Sequence, residues 1–214
     1  MTILQSKRTW AVIGGGNGGQ SAAGHLGMLG YPVRIYDIFD DSMEAINKQG
    51  GVKIGGVMEG FGKIDFATTD IAKAIDGADI IMVIAPAVAH RDIAKAMAPH
   101  VCRGQVIFIH PGATLGALEF NQVFSDYGVA RGAVTLCEAQ SLLYATRLVK
   151  HGEVSIKGIK QRLAVGTMPA SRTAEAVAAL SEAFPSIHAA RNVLETSLTN
   201  LNAVMHPTPS LLNA

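Results

Sequence analysis

The residues with the plainest chemical meaning lie near the amino terminus. Gly14, Gly16 and Gly19 form a G-x-G-x-x-G series directly after the apolar run Trp10-Ala11-Val12-Ile13 and before a small-residue stretch with Ser21, Ala22, Ala23, Leu26 and Leu29. A strand before and a helix after is the setting in which this series makes a dinucleotide-binding turn. The first glycine permits a tight turn, the second lets backbone N–H groups approach a pyrophosphate, and the third lets the helix cross close to the strand. Asn17 and Gly18 complete the turn as candidate contacts. The alternative is a glycine-rich turn with no ligand.

Asp37 ends the next apolar run, Val33-Arg34-Ile35-Tyr36, at the distance where a carboxylate accepts hydrogen bonds from adenosine ribose hydroxyls and repels a 2′-phosphate. No Lys or Arg follows among Ile38, Phe39, Asp40, Asp41 and Ser42, and Arg34 falls on the opposite sheet face. NAD is therefore expected ahead of NADP; the other reading of Asp37 is a turn or capping residue.

Pro86 sits in the turn after a later strand, where it is expected to border the nicotinamide half of the cofactor. His90 and His110 follow strands as well, and each reads as a turn residue or as a catalyst. His206 ends a polar series, Glu195, Thr199 and Asn202, and precedes Pro207. Spacing alone makes it an exposed or core-edge histidine, or else a cleft-facing one whose imidazolium a helix C-terminus favours. Cys102 and Cys137 have neither CxxC spacing nor a nearby ligand set, so both are expected to be buried reduced thiols and no metal site is expected.

These groups need a frame. From Trp10 to Ile109, short β-branched runs alternate with helical-period segments, the pattern of βαβ units feeding a parallel sheet. Asp79-Ile80-Ile81-Met82-Val83-Ile84 is apolar throughout and reads as a central strand. The glycines between Gly50 and Gly62 predict hairpin-like strands. Val154–Lys157 and Gln161–Val165 predict an antiparallel pair, and Ser171–Phe184 a helix with Ala174, Val177, Leu180 and Phe184 on its apolar face. After Asn192, Leu194, Leu198, Leu201 and Met205 predict one long helix with an unpaired apolar stripe, a face for self-association.

Composition narrows the classes. Among 214 residues 49% are hydrophobic and 16% charged, which excludes disorder as the main state and points to surface covered by other protein. With 18 Lys+Arg against 17 Asp+Glu and no basic run, nucleic acid is not an expected partner. The longest apolar run falls short of the ~20 residues that span a bilayer and the first residues lack a signal h-region, so a cytoplasmic protein is expected.

The run Val12-Ile13-Gly14-Gly15-Gly16-Asn17-Gly18-Gly19, the Tyr36-Asp37 strand end and Leu194-Glu195-Thr196-Ser197-Leu198-Thr199-Asn200-Leu201-Asn202-Ala203-Val204-Met205-His206-Pro207 together resemble the octopine/nopaline (opine) dehydrogenases. The resemblance implies an α/β Rossmann-type domain, mostly parallel with added antiparallel strands, over residues 1–190. The start of an all-helical substrate domain would follow over 191–214. It implies NAD(P)-dependent reductive joining of an amino acid to a 2-oxo acid, with His206 as acid/base and Asn202 beside it. Glu138, Tyr144 and Arg147 fall in a segment that also resembles the family. Members run well past this length, and their helical domain supplies an acidic partner for the histidine, so a fragment is expected here. The rivals are dehydrogenases of glycerol 3-phosphate or ketopantoate reductase type, which lack the Asn202/His206/Pro207 element in this form, and a non-catalytic dinucleotide-binding module.

Overall fold

The computed structural model describes residues 7–205 and 207–212. In chain order the elements are β1 (Trp10–Ile13), α1 (Asn17–Met28), β2 (Val33–Tyr36), α2 (Asp40–Gln49), β3 (Gly51–Gly56), β4 (Gly60–Lys63), β5 (Phe66–Thr68), α3 (Ile71–Ile75), β6 (Ile80–Val83), α4 (His90–Met97) and β7 (Val106–Ile109). There follow α5 (Gly116–Asp126), β8 (Thr135–Ala139), β9 (Tyr144–Lys150), β10 (Glu153–Ile159), β11 (Leu163–Met168), α6 (Thr173–Ser181), β12 (Ile187–Ala189), α7 (Val193–Leu198), α8 (Asn202–Met205) and α9 (Pro207–Leu212). The fold class is α/β of the Rossmann type, with most strand pairs parallel and antiparallel pairs at β3/β4 and β8/β11. Among the described residues no helix is long and apolar enough to cross a membrane.

The chain divides into two compact units, one reaching to Ile84 and adding Tyr144–Gly158, the other made of Ala85–Leu143 and the chain from Ile159 on. In the first, β1 is wholly buried and pairs in parallel with β2 and β6, so that Val12 faces Ile35 on one side and Met82 on the other. With β5 the order is β6-β1-β2-β5. β1 and β6 are apolar at every position because both of their faces are covered. Asp40 and Asp41 fill the first turn of α2, matching the helix dipole, and its chain reverses at Gly50 (φ +77°), whose N–H returns to the Ile46 and Asn47 carbonyls. The expected glycine-rich hairpin is β3/β4, antiparallel, within a second sheet of order β4-β3-β10-β9.

In the second unit β7 and β8 are parallel, β11 runs antiparallel to β8, and β12 runs parallel to β11. The antiparallel addition is therefore present, but not as the local pair read from the sequence. β10 pairs in parallel with β3, β11 pairs antiparallel with β8, and the tight turn lies earlier, at His151-Gly152, where Gly152 takes φ +80°. Lys160 N–H goes to the Leu143 carbonyl and Leu163 N–H to that of Ser186, so remote ladders displace the nearby partner. Helix α6 buries Thr173, Ala176, Ala179 and Leu180, while Ala174 is exposed. Of the expected face Leu180 and Phe184 are buried and Val177 is half-buried, so Ala174 alone departs from it, with Ala176 and Ala179 turned inward.

The expected long terminal helix is also divided. α7 starts where the Asn192 side chain accepts from the N–H groups of Leu194 (3.0 Å) and Glu195 (3.1 Å), and it stops at Thr199. α8 begins after Asn200-Leu201. Leu194, Leu198, Leu201 and Met205 are all exposed, but they do not form the face of one continuous helix.

Candidate functional site

The glycine turn joins β1 to α1 within the first unit, and three of its glycines are demanded by the protein itself, Gly14 through its φ of +116°. A Cβ on Gly19 would lie 1.7 Å from the Gly14 carbonyl oxygen, which is the close crossing of helix over strand expected of the third glycine. A Cβ on Gly15 would lie 2.9 Å from Asp37 and Met43 side-chain atoms. Gly16 is different: its φ of −77° is ordinary, and a Cβ there would meet no atom within 4 Å. Nothing in the protein requires a glycine at that position. Gly16 is also the N-cap of α1, with no side-chain cap and no acidic residue in the first turn, so the free N–H groups and the positive end of the helix dipole face the cleared space. The residues present therefore fit a pyrophosphate.

Asp37 lies beside this turn. Its Oδ2 accepts the N–H of Gly15 and its Oδ1 that of Ile38 (2.7 Å), so the carboxylate is held in place with acceptor capacity left for hydroxyls. A cavity of about 350 Å³ opens there, lined by Gly15, Gly16, Asp37, Phe39, Leu148 and His151 among others. The last two come from the hairpin β9/β10, which sequence reasoning did not connect with the turn. Asn17 makes the connection: its Oδ1 accepts Leu148 N–H at 2.9 Å, so its side chain braces the hairpin. Gln20, fully buried, donates to the Gly15 carbonyl (2.7 Å) and to Ser42 Oγ (3.1 Å) and accepts Gly152 N–H (2.8 Å). Gly18 is buried in the first turn of α1. Tyr144 and Arg147 stand on β9; Tyr144 is buried with its hydroxyl 2.9 Å from His25 Nδ1, and Arg147 is exposed.

The second unit carries the remaining candidates. Pro86 is exposed at the N-cap of a short 3-10 turn, Ala87–Ala89. His90 is buried edge-on against Phe120 (5.8 Å between ring centres), and burial pulls its imidazole below the usual value. His110 stacks on Phe108 at 5.1 Å and accepts Leu143 N–H at 2.8 Å on Nε2. Burial, with Lys160 adding to it, lowers its pKa to about 3. Both histidines are buried and neutral near pH 7, and His90 opens α4 instead of standing in a turn. Cys137 is buried as expected, but Cys102 is exposed, because it follows α4 at the surface rather than entering β7. Among the described residues no three His, Cys, Asp or Glu side chains gather as a metal site.

Glu138 on β8 is the second unit's most connected side chain. Fully buried, it accepts Ala117 N–H at the start of α5 (3.0 Å), the Thr196 hydroxyl (3.0 Å) and the Ser197 hydroxyl, both from α7. Burial raises its pKa, while those three hydrogen bonds oppose the rise. Ser197 Oγ in turn accepts Leu115 N–H (2.9 Å), and Asn200 donates to the Ala113 carbonyl (3.1 Å). Ala113 (φ 53°) and Leu115 (φ 63°) occupy the left-handed region without being glycine, a strain of about 1–3 kcal/mol each that these bonds from α7 and beyond hold in place. The spacing arguments missed this cluster, since its members are far apart in the chain. Asn202 is exposed, its N–H donating to Asn200 Oδ1 at 3.1 Å. The other catalytic candidate, His206, lies outside the described residues.

Comparison with known proteins adds to this geometry. A family model described as the NAD-dependent glycerol-3-phosphate dehydrogenase N-terminus matches residues 9–112. The chain is 38% identical over 213 residues to an opine dehydrogenase from Arthrobacter sp. (strain 1C), covering 99% of this chain and 58% of that protein. It is 29% identical over 213 residues to an octopine dehydrogenase from Mizuhopecten yessoensis, covering 92% of this chain and 52% of that one. A solved octopine dehydrogenase structure with NADH and pyruvate superposes with a TM-score of 0.81 at 25% identity, over 92% of this chain and 53% of the other. The chain thus spans just over half the length of the relatives it matches.

Proposed function

We propose that this chain, a relative of the opine dehydrogenases over nearly its whole length, is the cofactor-binding part of an NAD(P)-dependent oxidoreductase acting on CH–NH bonds. The observation that carries the reading is the space kept clear at Gly16, over the uncapped start of α1 and beside the braced Asp37 carboxylate. Gly14, Gly16, Asn17, Gly18 and Gly19 would hold the pyrophosphate, Asp37 the adenosine ribose, and Pro86 would border the nicotinamide. When bound, the cofactor supplies hydride to the carbon of an imine formed between an amino acid and a 2-oxo acid. Solved relatives named for NADH with pyruvate and NADH with L-arginine support that substrate class. Asn202 and His206 are our candidates for orienting the carbonyl and handling its proton, on the strength of the Asn-x-x-x-His-Pro element. We divide the chain at about residue 190, with 191–214 opening a helical substrate domain.

NAD is preferred, NADP being the alternative, because Asp37 disfavours a 2′-phosphate. A cytoplasmic location fits two unpaired thiols. The glycerol-3-phosphate-type match over residues 9–112 favours a second reading, a related dehydrogenase with the same cofactor half. Titration with NADH and NADPH, followed by fluorescence, tests the proposal: saturable NADH binding weakened about tenfold in Asp37→Ala is expected, while binding of neither nucleotide would overturn it. Self-association through exposed Leu194, Leu198, Leu201 and Met205 belongs to the same reading. Light scattering should show a multimer that Leu198→Asp with Leu201→Asp reduces to monomer; a monomeric parent refutes that point.

A further inference from the structure

We infer that the β9/β10 hairpin is a working wall of the cofactor site and that His151 at its tip decides how well a 2′-phosphorylated adenosine is accepted. The inference rests on the dinucleotide reading above and goes beyond it, since the glycine series and Asp37 say nothing of residues more than a hundred positions away.

The hairpin is fastened to the turn it serves. Asn17 Oδ1 holds Leu148 N–H at 2.9 Å, and the buried Gln20 carboxamide holds Gly152 N–H at 2.8 Å while its other end holds the Gly15 carbonyl at 2.7 Å. Ser21 Oγ and Thr146 Oγ1 meet at 2.8 Å, and Gln49 Nε2 donates to the Gly152 carbonyl at 2.8 Å. These contacts run from the two helices flanking the cavity, α1 and α2, and they span the tip on both sides of His151. The tip therefore keeps its register with Gly15 and Asp37, and His151 lines the same cavity they line.

The charges around that cavity give the tip its consequence. Two of the lining residues are acidic, Asp37 just after β2 and Asp41 in the first turn of α2, and both oppose a phosphate on the ribose. Of the residues lining the cavity, His151 is the one that carries positive charge when protonated, and its ring nitrogens also bond a ribose hydroxyl when it is neutral. Its neighbour Lys150 is drawn to Glu153, with Nζ 3.5 Å from Oε2. A single imidazole against two carboxylates makes a site that prefers a bare ribose, with a tolerance for the 2′-phosphate that rests on this one side chain.

The test uses the chain as it stands, titrated with NADH and with NADPH in parallel, for the parent, His151→Glu, His151→Lys and Asp37→Ala. His151 is exposed, so its variants are expected to fold; circular dichroism checks this. His151→Glu should weaken NADPH about tenfold or more and NADH by less than about threefold, and His151→Lys should shift the preference toward NADPH by about tenfold. If the parent takes NADH alone, His151→Lys must bring NADPH into range. An NADPH-to-NADH ratio unchanged within about twofold in both His151 variants, with NADH still bound and Asp37→Ala still weakened, overturns this inference and leaves the cofactor reading intact. A parent that binds neither nucleotide overturns both.

Discussion

The turn between β1 and α1 and the cluster around Glu138 are both built from tightly held polar groups, but they leave opposite remainders. At the turn, hydrogen bonds among Gly15, Asp37, Gln20 and Gly152 fix the walls, and the protein then leaves Gly16 without a neighbour and Asp37 with unused acceptor capacity. Around Glu138 the bonds close on themselves: Ala117 N–H, Thr196, Ser197 and Leu115 N–H are all satisfied internally, and the result is a backbone held at positive φ in Ala113 and Leu115. Saturated networks hold shape, whereas a network with a deliberate gap receives a ligand. The difference sets the closed network that positions backbone around Glu138 against the binding role we propose for Asp37, although both are carboxylates at strand ends.

The sharpest way to break this comparison is inside the turn itself. Gly19→Ala forces a methyl group to 1.7 Å from a backbone oxygen and should cost at least about 3 kcal/mol or prevent folding, read as a lost or lowered urea midpoint. Gly16→Ala, three residues earlier, should cost about 1 kcal/mol or less, the preference of an N-cap for glycine over alanine, yet weaken NADH binding about tenfold. Equal stability losses at the two positions would show that the space at Gly16 is packing and not a ligand site.

The second test is pH. His110 in the folded chain stays neutral down to about 3, whereas an unfolded histidine takes up its proton near 6.5, so the unfolded state binds more protons across that window. Its contribution is lost as pH falls, by about 1.4 kcal/mol per pH unit at most, and His110→Gln should flatten the slope in urea titrations between pH 6 and 4. Glu138 runs the other way. Its folded pKa is raised, so the folded state holds the proton more tightly, and stability falls as pH rises from the ordinary carboxylate value through the raised one. Glu138→Gln should remove that smaller, opposite slope. Profiles unaffected by either substitution would mean that neither buried group titrates with folding.

Much of the first unit was legible in the chain, for physical reasons specific to its residues. Trp10–Ile13 and Ile80–Val83 are apolar at consecutive positions, which only a strand covered on both faces tolerates, and the glycine series between β1 and α1 has a local steric cause at Gly19. Asp37 followed from its distance along the chain. The hairpin β9/β10 was not legible, because Tyr144–Lys150 places Thr146 inward and Leu148 at the cavity, a pattern with weak apolar alternation. The turn between β9 and β10 was hidden for a related reason: Gly152 and Gly158 are equivalent as letters, and the bonds that Gly152 makes with Gln20 and Gln49 select the first. The division of the terminal helix was hidden as well, since Thr199 and Asn200 interrupt it through Gln140 and Ala113, which lie far back in the chain.

The sequence by itself therefore determined what depends on short-range sterics and periodicity: the βα rhythm, the glycine turn, the acidic residue after β2 and the helix start at Asn192. Tertiary structure alone decided which distant backbone groups would satisfy one another, and with that the placement of His151 beside Asp37 and the enclosure of Glu138. Buried polar groups must find partners wherever the fold provides them, and the choice among many equivalent donors and acceptors carries no local signature.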